Sequence, residues 1–124
     1  MSFFGKIFGS EDVGEEQPSF WKKLENEEEI ETIIAESYQK KVVVFKHSTR
    51  CFISKTVLKS FEKEVINEKP DADFYYLDLL KFRNISNALA EKFDLRHESP
   101  QLLVVQNGKL INNGSHQAIT TNLI

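Results

Sequence analysis

Two short stretches of this chain, VVVF at residues 42–45 and FYYLDL at residues 74–79, are rich in β-branched and aromatic residues and lack an apolar–polar alternation. A strand with one face in water alternates, whereas a run like these is buried on both faces. Both runs therefore read as inner strands of a sheet covered by helices. The segments around them must supply those helices.

They do. From Glu27, EEEIETIIAESYQ places Ile30, Ile33, Ile34 and then Ser37 and Tyr38 at helical spacing, with acids in the first turn where the helix dipole favours them. Between the two runs, ISKTVLKSFEKEVINEK repeats Ile53, Val57, Leu58, Phe61 and Val65 at helical intervals, with lysines and glutamates between them. This predicts a long helix starting at or just after Cys51, and KPDAD then makes a turn. After the second run, NISNALAEKF puts Ile85, Leu89 and Phe93 on one stripe, with Asn84 or Ser86 available as a cap.

The last third changes character. Ser99-Pro100 leads into QLLVV, then Asn107-Gly108, then KLI, which predicts two strands joined by a type I′ hairpin. INNGSH is expected to end the hairpin and HQAITTNLI to form a short closing helix. SFWKKL, ahead of the first helix, is a possible edge strand. Right-handed strand–helix–strand crossovers plus a terminal antiparallel hairpin give an α/β fold, a mixed central sheet of four to five strands flanked by helices.

Residues 9–18, GSEDVGEEQP, offer almost nothing to bury. Residues 1–18 are accordingly expected to be a flexible tail and acidic linker, and 19–124 the folded domain. The apolar cluster Phe3, Phe4, Ile7 and Phe8 is too short and broken for a signal peptide or membrane span. It is read as a loosely packed tail or a short amphipathic docking peptide. With 16 basic against 19 acidic residues, the chain has no general electrostatic reason to bind nucleic acid or an anionic membrane.

The chain has one cysteine, Cys51, in KHSTRCFISK. One thiol excludes an internal disulfide and any multi-cysteine zinc or iron–sulfur site built from one copy, and a reducing cytoplasm is its expected location. Free cysteines are often inert, buried hydrophobes. A cysteine flanked by Ser48, Thr49 and Arg50 at a strand-to-helix junction fits that description poorly, and the carboxyl end of a central strand is where open α/β sheets place their sites. A free thiol, with a pKa of ~8.5, is only slightly ionised at neutral pH and needs help to react. That help is expected from the helix N-terminus, from the Ser54 hydroxyl one turn on, and from Lys46, His47, Arg50 and Lys55, with no acid between Lys40 and Glu62. His47 reads most simply as a strand-end residue, and His97 and His116 as exposed loop residues. Asp71 and Asp78 form no hydrolase-like pair. Pro100 either restricts the chain entering a strand or follows a cis peptide that presents the Ser99 backbone to an extended substrate.

With these elements in view, KHSTRCFIS together with DLL, SPQLLVVQNG and SHQAI resembles the monothiol bacilliredoxins, of the thioredoxin-like superfamily, over residues 20–124. The resemblance implies that Cys51 is the nucleophile, that Ser54 stands where dithiol thioredoxins keep a resolving cysteine, and that Pro100 is the cis-proline facing the thiol. Ser99, Thr49, Arg50 and Phe52 would line the substrate surface. The implied activity is removal of bacillithiol, or a similar small thiol, from mixed disulfides on client proteins, with that thiol as cosubstrate, no bound cofactor or metal, and a monomeric chain. Serine at 54 cannot close an intramolecular disulfide, so the mixed disulfide must wait for an external thiol. Phe52 departs from relatives, which commonly carry proline or a smaller residue there. The alternatives are a non-catalytic thioredoxin-like binding or regulatory module and, with less support, an iron–sulfur carrier. The latter lacks the Cys-Gly-Phe-Ser motif of monothiol glutaredoxins.

Overall fold

The computed structural model describes residues 17–124. The apolar segment at residues 3–8 and the linker up to residue 16 lie outside the described residues. Strands β1 (Trp21–Lys23), β2 (Lys41–His47), β3 (Ala72–Asp78), β4 (Gln101–Gln106) and β5 (Lys109–Ser115) form one sheet in the order β1-β3-β2-β4-β5. β1, β3 and β2 run parallel, β4 is antiparallel to β2, and β5 is antiparallel to β4. Helices α1 (Glu29–Glu36), α2 (Phe52–Glu68) and α3 (Arg83–Lys92) complete the α/β fold. The segment SFWKKL does supply an edge strand.

Successive residues of β2 point to opposite faces, and each face has its own core. Val43 and Phe45 pack with Trp21, Val57, Leu58, Phe61 and Phe74 on the α2 side. Val42 and Val44 pack with Ile30, Ile33, Leu77, Ile85 and Leu89 on the side of α1 and α3. Burial on both sides is what the unbroken apolar run requires.

The hairpin turn takes left-handed φ at both central residues, 54° at Asn107 and 75° at Gly108, as a type I′ turn demands. Glycine is needed at 108 for a second reason: a Cβ there would lie 2.5 Å from the Tyr38 hydroxyl. The tip is tied to the end of α1, where the Ser37 carbonyl accepts from Asn107 N–H and its Oγ from Gly108 N–H, both at 2.8 Å.

Several local expectations are corrected. His47 does end β2, as expected, but it and Lys46, although polar, are both buried in the ladder rather than left in solvent. Neither Asn84 nor Ser86 caps α3: the helix starts at Arg83, with Phe82 in the cap position, and Ser86 sits inside it. The turn before it is held instead by Asp78 Oδ1, which accepts from the N–H groups of Leu80 (3.2 Å) and Lys81 (3.3 Å). β5 continues through INNGS, since an edge strand paired on one side tolerates exposed polar residues. The closing segment is two short 3-10 turns, His116–Ala118 and Thr121–Leu123, rather than one helix. Extended backbone at Ile119 and Thr120 separates them and drives Ile119 into the α2-side core, a path a continuous helix could not take.

Candidate active site

The loop Ser48–Thr49–Arg50 carries the chain from β2 into α2, and Cys51 is the capping residue of that helix. Its backbone is extended (φ −101°, ψ 121°), its N–H donates to the Ser48 carbonyl at 3.2 Å, and its own carbonyl accepts the Lys55 N–H at 3.0 Å. The thiol is half-buried. Around it, Thr49 and Arg50 are exposed, Phe52 is 80% exposed and Ile53 45% exposed. A polar loop and two outward apolar side chains therefore flank the half-buried Cys51 at the N-terminus of a 17-residue helix.

Ser54 is completely buried, and its role in the structure differs from the expected hydrogen bond to sulfur. Its Oγ lies 2.7 Å from His47 Nδ1 and accepts the Ser48 N–H at 3.1 Å. The hydroxyl thus staples the first turn of α2 to the end of β2. His47 is no passive strand-end residue. Burial pushes its pKa down to about 4; Asp78 opposes that shift and Lys55 adds to it, so the imidazole is neutral at physiological pH. The ring packs 5.7 Å from that of Tyr76 and borders a cavity of about 230 Å³ with Thr49, Lys55, Leu58, Lys59 and Glu62.

Lys46 is also corrected as a source of charge for the thiol. It points to the opposite face of β2, wholly buried, and its Nζ donates to the Ser86 carbonyl at 3.2 Å. Desolvation lowers its pKa to about 8. Of the four basic residues expected to help the thiol, two are thus turned inward, and Arg50 and Lys55 remain exposed on the loop and first turn.

The Ser99–Pro100 peptide bond is cis, and Pro100 is buried. Pairing of Lys46 with Gln101 places Pro100 one step further, beside the carboxyl end of β2 and hence next to the loop that carries Cys51. Ser99 Oγ is buried without a hydrogen-bond partner among the described residues. Gln101 fastens the approach to this corner: its Nε2 donates to the Arg96 carbonyl at 2.9 Å, and its Oε1 accepts the Glu98 N–H at 3.4 Å. His97 and His116 are exposed; His97 Nδ1 lies 3.2 Å from Ser86 Oγ, and His116 lies 3.6 Å from Glu98.

Sequence reasoning missed the His47–Ser54 pair and the buried Lys46. The spacing of seven from His47 to Ser54 signals nothing without knowing that the intervening loop folds back. It also missed Asp78, Leu80 and Lys81 as neighbours of the reactive loop. With Thr49 and Arg50 they border an open cleft of about 380 Å³.

Comparison with known proteins agrees with this geometry. A structure assigned as an oxidoreductase with a thioredoxin fold is 33% identical, covers 84% of this chain and 89% of its own, and superposes with a TM-score of 0.74. The thioredoxin of Fasciola hepatica (20% identity, 82% and 91% covered, TM-score 0.63) shares the fold. So does mitochondrial thioredoxin 3 of Saccharomyces cerevisiae (22% identity, 79% and 85% covered, TM-score 0.60). The family model described as monothiol bacilliredoxin BrxC matches residues 22–124. The chain therefore belongs to the monothiol bacilliredoxin family, a thioredoxin-fold group with a thiol–disulfide redox role.

Proposed function

We propose that this protein removes bacillithiol, or a closely similar small thiol, from mixed disulfides on client proteins through Cys51. The observation that carries the reading is the pairing of one half-buried thiol at the start of α2 with a buried serine three residues on. The Cys51 thiolate attacks the small-thiol sulfur of the adduct, a new S–S bond forms, and the client leaves as its thiolate. Ser54 has no sulfur with which to resolve the product, so a second small thiol attacks, leaves with the first as a disulfide, and returns Cys51 to the thiolate. Thr49 and Arg50 supply the polar surface beside the sulfur, the cis Ser99–Pro100 peptide lies at the adjoining end of β2, and the outward Phe52 and Ile53 suit an apolar client surface. The reaction needs no bound cofactor or metal, and it suits a monomer in a reducing cytoplasm.

The test is intact-mass analysis of the reduced protein after incubation with a client carrying bacillithiol, glutathione or coenzyme A. The expected result is one small thiol on Cys51, stable until excess free thiol releases it, and none in Cys51→Ala. No thiol on Cys51 and no release of the client thiol, with client binding equal in the wild type and Cys51→Ala, would instead favour a non-catalytic binding module. The identity of the best donor names the cosubstrate.

A further inference from the structure

Thr49 and Arg50, just before the nucleophile, form one wall of the 380 Å³ cleft, and Asp78, Leu80 and Lys81, at the end of β3 and in the turn after it, form the other. The volume suits part of one small molecule, not a folded chain. Two cations border it, Arg50 on one wall and Lys81 on the other, with one carboxylate, Asp78. Neither makes an ion pair or a side-chain hydrogen bond among the described residues, although Lys81 Nζ does lie 5.5 Å from the Phe82 ring centroid. The Asp78 carboxylate is engaged by the turn, through the N–H groups of Leu80 and Lys81. The cleft thus carries excess positive charge in a chain whose net charge is −3.

The cavity on the other flank of the loop is a weaker candidate. Lys55 and Lys59 border it with Glu62, whose carboxylate is engaged by the Trp21 N–H, so its charge balance is the same, but its wall follows α2 through Leu58 and Lys59, two turns away from the sulfur. Only the first cleft contains the residue bonded directly to Cys51.

We propose that the cleft between Thr49–Arg50 and Leu80–Lys81 is an anion subsite, which receives a carboxylate of the small thiol while its sulfur is joined to Cys51. The inference rests on the small-thiol transfer argued above and adds the place on this chain where the small thiol's negative charge is held. Arg50 suits that partner because its guanidinium can pair with a carboxylate in bidentate fashion. Lys81 adds a point charge from the opposite wall, and Leu80, 38% exposed, gives the carbon skeleton an apolar surface.

Three disulfides of similar size and different charge test it: dithiodiglycolate (two carboxylates), bis(2-hydroxyethyl) disulfide (neutral) and cystamine (two ammonium groups). In each, the Cys51 thiolate bonds to one sulfur, the probe's S–S bond breaks, and the other half leaves as a thiolate that takes a proton from water. Second-order rates of adduct formation on the full chain, each divided by the rate of the same probe with free 2-mercaptoethanol to remove leaving-group differences, are measured at low and at high salt. The expected result at low salt is a normalised rate roughly tenfold higher for the dianion than for the dication, with the neutral probe between them, shrinking as salt screens the cleft. In the double variant Arg50→Gln, Lys81→Gln the ratio of the outer two rates should fall to within about twofold. In Lys59→Gln, on the other flank, the ratio should stay as in the wild type. A flat charge series in the wild type, an unchanged ratio in the double variant, or an equal collapse in Lys59→Gln would each overturn the subsite. Failure of all three probes to modify Cys51 would overturn the transfer reading itself, and the subsite with it.

Discussion

The two faces of β2 are alike along the strand and opposite at its end. Val43 and Phe45 on one side, Val42 and Val44 on the other, are all completely buried, yet each series terminates in a buried nitrogen base. On the α2 side it is His47, which is neutral at pH 7 and paired with a hydroxyl at 2.7 Å. On the side of α1 and α3 it is Lys46, held by one carbonyl at 3.2 Å although an ammonium has three protons to donate. Burial is cheap for a group that is neutral at the working pH and costly for one that must shed a proton or enter charged. The face that supports the nucleophile is well satisfied, and its opposite is under electrostatic stress.

Substitutions on each face put that contrast to the test. The largest effect is expected from Phe45→Ala, which empties a site whose ring lies 5.7 Å from Phe61 and 6.1 Å from Trp21; chemical denaturation should show a loss of about 3–5 kcal/mol. Next, His47→Phe should destabilise by about 1–3 kcal/mol, because Ser54 loses its partner in a closed site. A double-mutant cycle with Ser54→Ala should return a coupling of about 1 kcal/mol or more, and strict additivity would show that the pair does not act as a staple. Lys46→Met should move the other way and raise stability at pH 7 by about 1–2 kcal/mol, since an apolar chain of similar length replaces a desolvated amine. A loss there would mean that the bond to Ser86 outweighs the desolvation.

The pH dependence separates the two bases again. Each has a folded pKa below its unfolded value, so within its window the unfolded state binds more protons and stability rises with pH. For His47 the window runs from about 4 to 6.5, and stability is lost as pH falls through it. For Lys46 it runs from about 8 to 10.5, so this group's penalty, full at neutral pH, is relieved on the alkaline side. Denaturation midpoints across both windows should show two rising limbs, of which His47→Phe removes the acidic one and Lys46→Met the alkaline one.

Much of this was legible in the sequence. The unbroken apolar runs located β2 and β3, the helical stripes located α1, α2 and α3, and Asn107-Gly108 located the hairpin, because each signal is local and repeats with the period of its own element. The site was legible in part: Cys51 at a helix start and Ser99-Pro100 before a strand could be named. What they touch could not. The strand end at His47 could be named too, but nothing local distinguishes a polar strand end in solvent from one sealed under α2 or α3. The direction of the Ser54 hydroxyl, the burial of Lys46 and the approach of Lys81 to Arg50 all depend on contacts 7 to 40 residues apart in the chain.

Trp21 is the only tryptophan in the chain. Its indole N–H donates to Glu62 at 2.7 Å, and its ring lies 5.9 Å from Tyr76, which in turn lies 5.7 Å from His47. The molecule therefore carries its own optical reporter on the face that supports the nucleophile. Light absorbed at the red edge of the protein spectrum excites that one ring, so its emission follows loosening of the α2 face without any attached dye.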